Sequence, residues 1–418
     1  MSGRLVIVGA SLAGLRAAEA VRGDGWDGSV TLVGAEEHLP YDRPPLSKDY
    51  LAADECPDTT YRDEAKLADE LDIDLVLGAP AASLDPGGRT VAVGEREIAY
   101  DGLVIATGAH ARTLPGTEHL AGVHTVRSLD DAIALRAALR AEHARRVTVV
   151  GAGFIGSEVA SVARGLDLDV TVVEAMDTPL VRAVGERMGA ALTRLHEKHD
   201  THVRTGVSVE EVVGEGHVRE VRLSDGTSLE TDVLVVGVGA SPTTGWLEGS
   251  GLELDNGVVA DATLAAAPGV YVAGDIARWP NALFDDVHPS PMRLEHWTSA
   301  AEQGARAARN AVAPDAATAY ETVPYFWSDW YSSRIQFVGL AHADLDVEIE
   351  VVAGDDTDGG PFTALYRAGD RLVGALSVDM RAEVMKYRRL IAKRGTWADG
   401  LELAESRRNA KKDAAQAS

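Results

Sequence analysis

The chain has 418 residues, 65 of them acidic and 40 basic, for a formal net charge of −25. So acidic a surface repels phosphate backbones and argues against general nucleic-acid binding, and no apolar run approaches the ~20 residues that span a bilayer. A single cysteine, Cys56, excludes an intramolecular disulfide, including a redox-active pair, and fits a reducing compartment.

The N-terminus runs from Met1-Ser2-Gly3-Arg4 straight into the apolar strand Leu5–Val8, without the features of a signal peptide, so a cytoplasmic protein is expected. The first unit reads as a strand over Arg4–Val8, a Gly-rich turn over Gly9–Gly14, a helix from Leu15 to about Arg22 and a strand over Ser29–Val33. The same succession recurs at Arg146–Val150, Gly151–Gly156, a helix from Ser157 to about Leu166, and Asp169–Val173. Alternating strands and helices indicate a parallel α/β sheet, here with an internal duplication of one phosphate-binding unit.

The second turn, Gly151-Ala152-Gly153-Phe154-Ile155-Gly156, is a full G-x-G-x-x-G between a Val-rich strand and a helix. Its glycines allow the tight turn, close approach of a pyrophosphate and close helix–strand packing, while the helix N-terminus offers unpaired N–H groups. Glu174 ends the next strand, 23 residues after Gly151, and suits the two hydroxyls of an adenosine ribose. With Ala175 and Met176 following it rather than arginine, NADH is expected over NADPH.

The first turn, Gly9-Ala10-Ser11-Leu12-Ala13-Gly14, carries Ser11 where the second glycine belongs. Past Val33-Gly34-Ala35, Glu36 or Glu37 is positioned to receive a ribose. Two further strands end in chemistry-bearing residues, Leu103–Ile105 before Thr107-Gly108 and Val270–Val272 before Gly274-Asp275. A carboxylate at Asp275 suits a polyol such as the ribityl chain of FAD, or else caps the next helix.

From Glu321 to Leu340 the chain is rich in aromatics, and alternating stretches at Val347–Val352 and Phe362–Tyr366 read as antiparallel strands. Trp327 and Trp330 are either core or a shield for a cofactor. The scattered histidines, His288 and His296 among them, lack metal-ligand spacing, and no metal is expected.

Together these residues resemble the FAD/NAD-linked pyridine nucleotide-disulfide reductase superfamily and, within it, the NADH-dependent ferredoxin reductases of bacterial oxygenase systems. The resemblance runs from Arg4 to about Gly395, and its most specific segment is Pro40-Tyr41-Asp42-Arg43-Pro44-Pro45-Leu46-Ser47-Lys48. It implies an α/β fold of two Rossmann-like nucleotide-binding domains plus a C-terminal α+β interface domain. The FAD domain would comprise 1–110 and 240–318, the NADH domain 111–239 and the C-terminal domain 319–404, with 405–418 a flexible tail.

For FAD the resemblance implies contacts from Gly9, Ser11, Ala13, Gly14, Glu36, Arg43, Lys48, Ala81, Thr107, Gly108, Arg127, Gly274, Asp275 and Trp297. For NADH it implies Gly151, Gly153, Phe154, Ile155, Gly156, Glu158, Glu174 and Gly239. Lys48, near the reactive edge of the flavin, and Glu158, near the carboxamide, would be the catalytic pair. The acidic residue the family places directly after the Val-Gly pair is Ala35 here, which moves the ribose role to Glu36.

The activity so implied is hydride transfer from NADH to FAD, then single-electron transfer to a [2Fe–2S] ferredoxin feeding a cytochrome P450 or Rieske oxygenase. Reduction of a rubredoxin, a quinone or monodehydroascorbate is the alternative, with a redox-sensing flavoprotein behind it. Docking of an acidic ferredoxin calls for local basic surface. Candidates are Arg306 and Arg309, and Lys386, Arg389 and Lys393, which share one face of a helix.

Overall fold

A computed structural model describes residues 3–341 and 347–416. The chain forms two compact units: Met1–Asp42, Asp58–His110 and Ala240–Pro324 make the first, and Arg43–Pro57, Ala111–Gly239 and Tyr325–Ser418 the second.

The first unit is built on a six-stranded sheet in the order Ala265–Ala267, Val270–Val272, Gly102–Ile105, Arg4–Val8, Ser29–Val33, Ile73–Val76. All neighbours run parallel except the first pair. Leu5 to Val8 are all buried, as expected for a strand covered on both faces. Helices Leu12–Gly23 and Trp297–Val312 pack on one another so closely that a Cβ on Gly304 would lie 2.1 Å from the Ala13 carbonyl oxygen. A small antiparallel sheet, Ala81–Asp85, Thr90–Val93 and Arg96–Ala99, adds Leu84, Val91 and Val93 to the same core.

The second unit repeats the plan. Its parallel sheet runs His202–Arg204, Asp169–Val173, Arg146–Val150, Val233–Val236, Val123–His124. In each sheet the strand that leads into the glycine turn is central, with the chain departing in opposite directions on its two sides. That is the topological switch point of a doubly wound sheet, outside whose strand C-termini ligands bind.

Within the same unit the aromatic-rich segment forms a five-stranded antiparallel sheet: Tyr325–Trp330, Ser333–Gly339, Arg371–Val378, Phe362–Ala368, Glu348–Gly354. Helices Arg381–Ala392 and Trp397–Gln416 complete it. The segment expected as a flexible tail is therefore helical as far as Gln416; its Ala, Lys, Arg and Glu content favours helix, and Arg407 pairs with Glu383 at 3.1 Å. No helix among the described residues is long and apolar enough to cross a membrane.

Candidate active site: two nucleotide turns and a buried ion pair

The two turns correspond bond for bond. The Gly9 N–H donates to the Val33 carbonyl at 2.7 Å, and the Gly151 N–H to that of Val173 at 2.8 Å. Ala106 N–H meets the Val8 carbonyl at 2.7 Å, and Gly237 N–H that of Val150 at 2.7 Å. Both leading glycines have positive φ, +120° and +98°. A Cβ on Gly14 would lie 1.9 Å from the Gly9 oxygen, and one on Gly156 2.1 Å from that of Gly151. The helix of each unit thus starts directly against its strand.

Ser11 is explained by the same geometry. It precedes helix Leu12–Gly23 with φ −103° and ψ −163°, and Gly153 precedes helix Phe154–Gly165 with φ −74° and ψ 178°. Both are extended conformations open to any residue. Apart from its chain neighbours, a Cβ on Gly153 would meet no atom within 4 Å among the described residues, so neither backbone nor packing asks for glycine there. Close approach of a pyrophosphate favours glycine at 153, whereas at position 11 the small serine offers a hydroxyl that can itself donate to a phosphate oxygen, so both turns fit a dinucleotide.

Glu174 is held by its turn: its Oε2 accepts from Ala152 N–H at 2.9 Å and its Oε1 from Met176 N–H at 3.0 Å. Phe154 leans on Phe326 with ring centroids 4.7 Å apart, whereas Ile155 is exposed. Gly239, with φ +95°, accepts the Arg112 N–H at 3.0 Å.

In the first unit Glu36, half-buried, accepts the Tyr41 hydroxyl at 2.6 Å, while Glu37 is exposed. Thr107 Oγ1 donates to the Thr243 carbonyl at 3.2 Å, and Gly108 accepts the Thr243 N–H at 2.9 Å. Ala81 opens its strand opposite Val93. Asp275 sits inside the 3-10 turn Gly274–Ile276, which Ala273 caps, so its carboxylate is not spent as an N-cap. Gln303 fixes this turn by accepting the Gly274 N–H at 2.8 Å, and the Gln303 Nε2 is buried without a protein partner. An orphaned buried donor on the residue that fixes the turn carrying Asp275 fits the polyol and phosphates of FAD. The Trp297 indole N–H reaches Asp42 at 2.9 Å and the Tyr61 hydroxyl at 3.0 Å. Burial pushes the neighbouring His296 imidazole down to about 4.

In the second unit the structure brings Lys48 and Glu158 together, with Nζ 2.8 Å from Oε2. Glu158 is 2% exposed. Burial pushes its carboxyl up, against the pull of Lys48, Ser328 and Ser47. The Ser47 hydroxyl donates to Oε2 at 2.5 Å and that of Ser328 to Oε1. The Arg43 guanidinium donates to the Arg127 carbonyl, and Arg127 leads into a capping box between Ser128 and Asp131. Arg136 and Arg140, which sequence reasoning missed, donate to the carbonyls of Tyr50, Leu51, Ala52, Ala53 and Asp54. They cap the short helix that follows Lys48. Ser47, Ser328 and Trp330 also went unsingled as site residues. No sequence pattern flags a serine whose partner lies 111 or 170 positions away. Trp330, at 1% exposure, is core, whereas Trp327 is half-buried beneath the Arg334 guanidinium.

The family model for pyridine nucleotide-disulphide oxidoreductases matches residues 3–304, and that for the reductase C-terminal domain matches 325–412. Rhodocoxin reductase of Rhodococcus erythropolis is 35% identical over 392 residues, covering 93% of this chain and 89% of that protein. The anthranilate 1,2-dioxygenase system ferredoxin–NAD(+) reductase component of Burkholderia cepacia is 37% identical over 408 residues, 96% of each. Putidaredoxin reductase, solved as a covalent complex with putidaredoxin, superposes with a TM-score of 0.87 at 30% identity, covering 94% of this chain and 93% of that one. With two dinucleotide turns, a half-buried lysine paired to a buried glutamate and matches along nearly its whole length, the chain belongs to the pyridine nucleotide-disulphide oxidoreductase family.

Proposed function

We propose that this chain is an NADH-dependent ferredoxin reductase, passing electrons from NADH through bound FAD to a [2Fe–2S] ferredoxin that feeds a cytochrome P450 or Rieske oxygenase. The observation that carries the reading is the duplicated turn in a chain with one cysteine. Two nucleotides are provided for, yet no cysteine pair is available to relay electrons onward. Reductase components of several dioxygenase systems are among the relatives at comparable identity. The single cysteine also supports a cytoplasmic setting.

Bound FAD supplies the chemistry of accepting a hydride and releasing electrons singly. The protein's part is orientation and charge. In the first unit Gly9, Ser11, Ala13 and Gly14 present backbone to the FAD pyrophosphate, Glu36 takes the ribose, and Ala81, Thr107, Gly108, Gly274, Asp275 and Trp297 complete the FAD contacts. Arg43, Lys48 and Arg127 are the remaining residues to which the family resemblance assigns FAD contacts. In the second unit Gly151, Gly153, Phe154, Ile155, Gly156 and Gly239 receive NADH, Glu174 holds its ribose, and Glu158 faces the carboxamide while balancing Lys48.

For docking, Arg389 and Lys393 are exposed and Lys386 half-buried on helix Arg381–Ala392 and its C-cap, beside the exposed Met385. Arg309 is paired with Asp24 at 2.6 Å and Arg306 is bonded to Thr318. This favours the Lys386–Lys393 face as the primary contact for an acidic partner. The test is cytochrome c reduction by NADH with and without added ferredoxin. Ferredoxin is expected to accelerate it by an order of magnitude or more; no acceleration would send the reading to the rubredoxin, quinone or monodehydroascorbate alternatives.

A further inference from the structure

Strand Tyr325–Trp330 lays two side chains of the same face, Ser328 and Trp330, toward helix Phe154–Gly165. The Trp330 indole N–H reaches the Ser328 hydroxyl oxygen at 2.8 Å, and that hydroxyl reaches Glu158 Oε1. All three residues are buried, Ser328 completely. The chemistry of the groups sets the direction of the chain. An indole N–H only donates, so Ser328 accepts from Trp330 and its own proton points at the carboxylate. With Ser47 on the far oxygen and Lys48 beside it, Glu158 faces three donors. Were Glu158 to take up a proton and donate it to Ser328, the serine would accept twice and its own proton would be left buried and unpaired.

The indole is itself fixed. The His196 ring stacks on it with centroids 5.0 Å apart, bonded through Nδ1 to the Tyr331 hydroxyl at 2.7 Å and through Nε2 to Ser157 at 3.0 Å. Burial pushes His196 down to about 4, so it brings no competing charge near neutrality. On the other elements packed against the helix, Asp329 is paired with Arg334 and Arg146 with Asp232 and Glu230, while Asp49 and Asp169 are exposed. Lys48 is the charged group that meets Glu158 directly.

We propose that Ser328 and Trp330 are positioning residues for the Lys48–Glu158 pair. The indole N–H fixes the Ser328 hydroxyl, and that hydroxyl holds Glu158 as the ionised partner of Lys48. Its significance for hydride transfer rests on the function proposed above; the hydrogen-bond relay does not.

The FAD-loaded enzyme, labelled with carbon-13 at the glutamate carboxyls, is titrated by NMR, the Glu158 resonance being assigned by its loss in Glu158→Gln. Removing a hydrogen bond to a charged group in Ser328→Ala is expected to raise the Glu158 midpoint by about one pH unit. Ser328→Thr, which keeps the hydroxyl, is expected to restore it, and Trp330→Phe to raise it by less than Ser328→Ala. The pH profile of reduction by NADH in stopped flow is expected to move in parallel. An unmoved midpoint in Ser328→Ala or Trp330→Phe, or a threonine variant displaced as far as the alanine, overturns the proposal. A midpoint that shifts as stated in an enzyme that NADH fails to reduce supports the relay and overturns the functional reading instead.

Discussion

Glu174 accepts the backbone N–H of Ala152 at 2.9 Å, which ties the acid ending strand Asp169–Val173 to the second residue of the glycine turn. Each carboxylate oxygen retains a lone pair for a ribose hydroxyl, and the charge repels a 2′-phosphate. Glu174→Ala is expected to lower kcat/KM for NADH by roughly 10- to 100-fold, the worth of a hydrogen bond to a charged group, and to raise the NADPH/NADH ratio. Steady-state kinetics with both nucleotides decides it; an unchanged ratio discards the role.

Lys48→Met strips Glu158 of its cation at a site only 2% exposed. Breaking a buried pair from one side costs about 3–5 kcal/mol. Urea unfolding of FAD-loaded protein is expected to show a loss of about that size in Lys48→Met, with much of it recovered in Lys48→Met/Glu158→Gln. Additive losses in the double variant would show the pair to be uncoupled.

Gly304→Val is expected to force apart helices Leu12–Gly23 and Trp297–Val312, because the Cβ position lies 2.1 Å from the Ala13 oxygen. Backbone has to move, and overpacking of this kind costs about 1–3 kcal/mol or more. Since Ala13 belongs to the first nucleotide turn, FAD is expected to be lost on gel filtration from the variant and retained by wild type.

His196 is held below its ordinary value, at about 4, by burial and by its neighbour His199. The unfolded chain therefore takes up the proton first as pH falls. The stability contribution is complete above about 6.5, declines as pH drops, and is gone below about 4. The difference amounts to at most about 3 kcal/mol. His196→Gln is expected to flatten the stability–pH curve in that window relative to wild type, as read from urea midpoints between pH 4 and 7; parallel curves would contradict it.

Reversing charge at Lys386, Arg389 and Lys393 together is expected to slow ferredoxin-dependent cytochrome c reduction at least tenfold at low ionic strength, with the difference shrinking as salt is added. NADH reduction of the enzyme in stopped flow serves as the control. A rate insensitive to the triple reversal would move docking elsewhere.

The chain itself determined the two strand–turn–helix units, the acid at Glu174, the antiparallel character of the C-terminal sheet and the pairing of Lys48 with Glu158. The first three are local codes. Glycine spacing, runs of valine and alternation of polar with apolar residues act on the backbone within a few residues of themselves, and the pairing came from the motif that Lys48 shares with a family. Helix boundaries at Leu12 and Phe154 lie three residues before those expected, because both helices begin inside the glycine turn itself.

Only the tertiary structure decided which serines hold Glu158, which arginines cap the helix after Lys48, and that Arg309 is occupied by Asp24, 285 positions away. Nothing within a few residues of Ser328, Arg136 or Arg309 records these partners. Such bonds join groups that approach one another only once separate elements have packed, and a lone polar residue carries no periodicity from which its distant partner can be read.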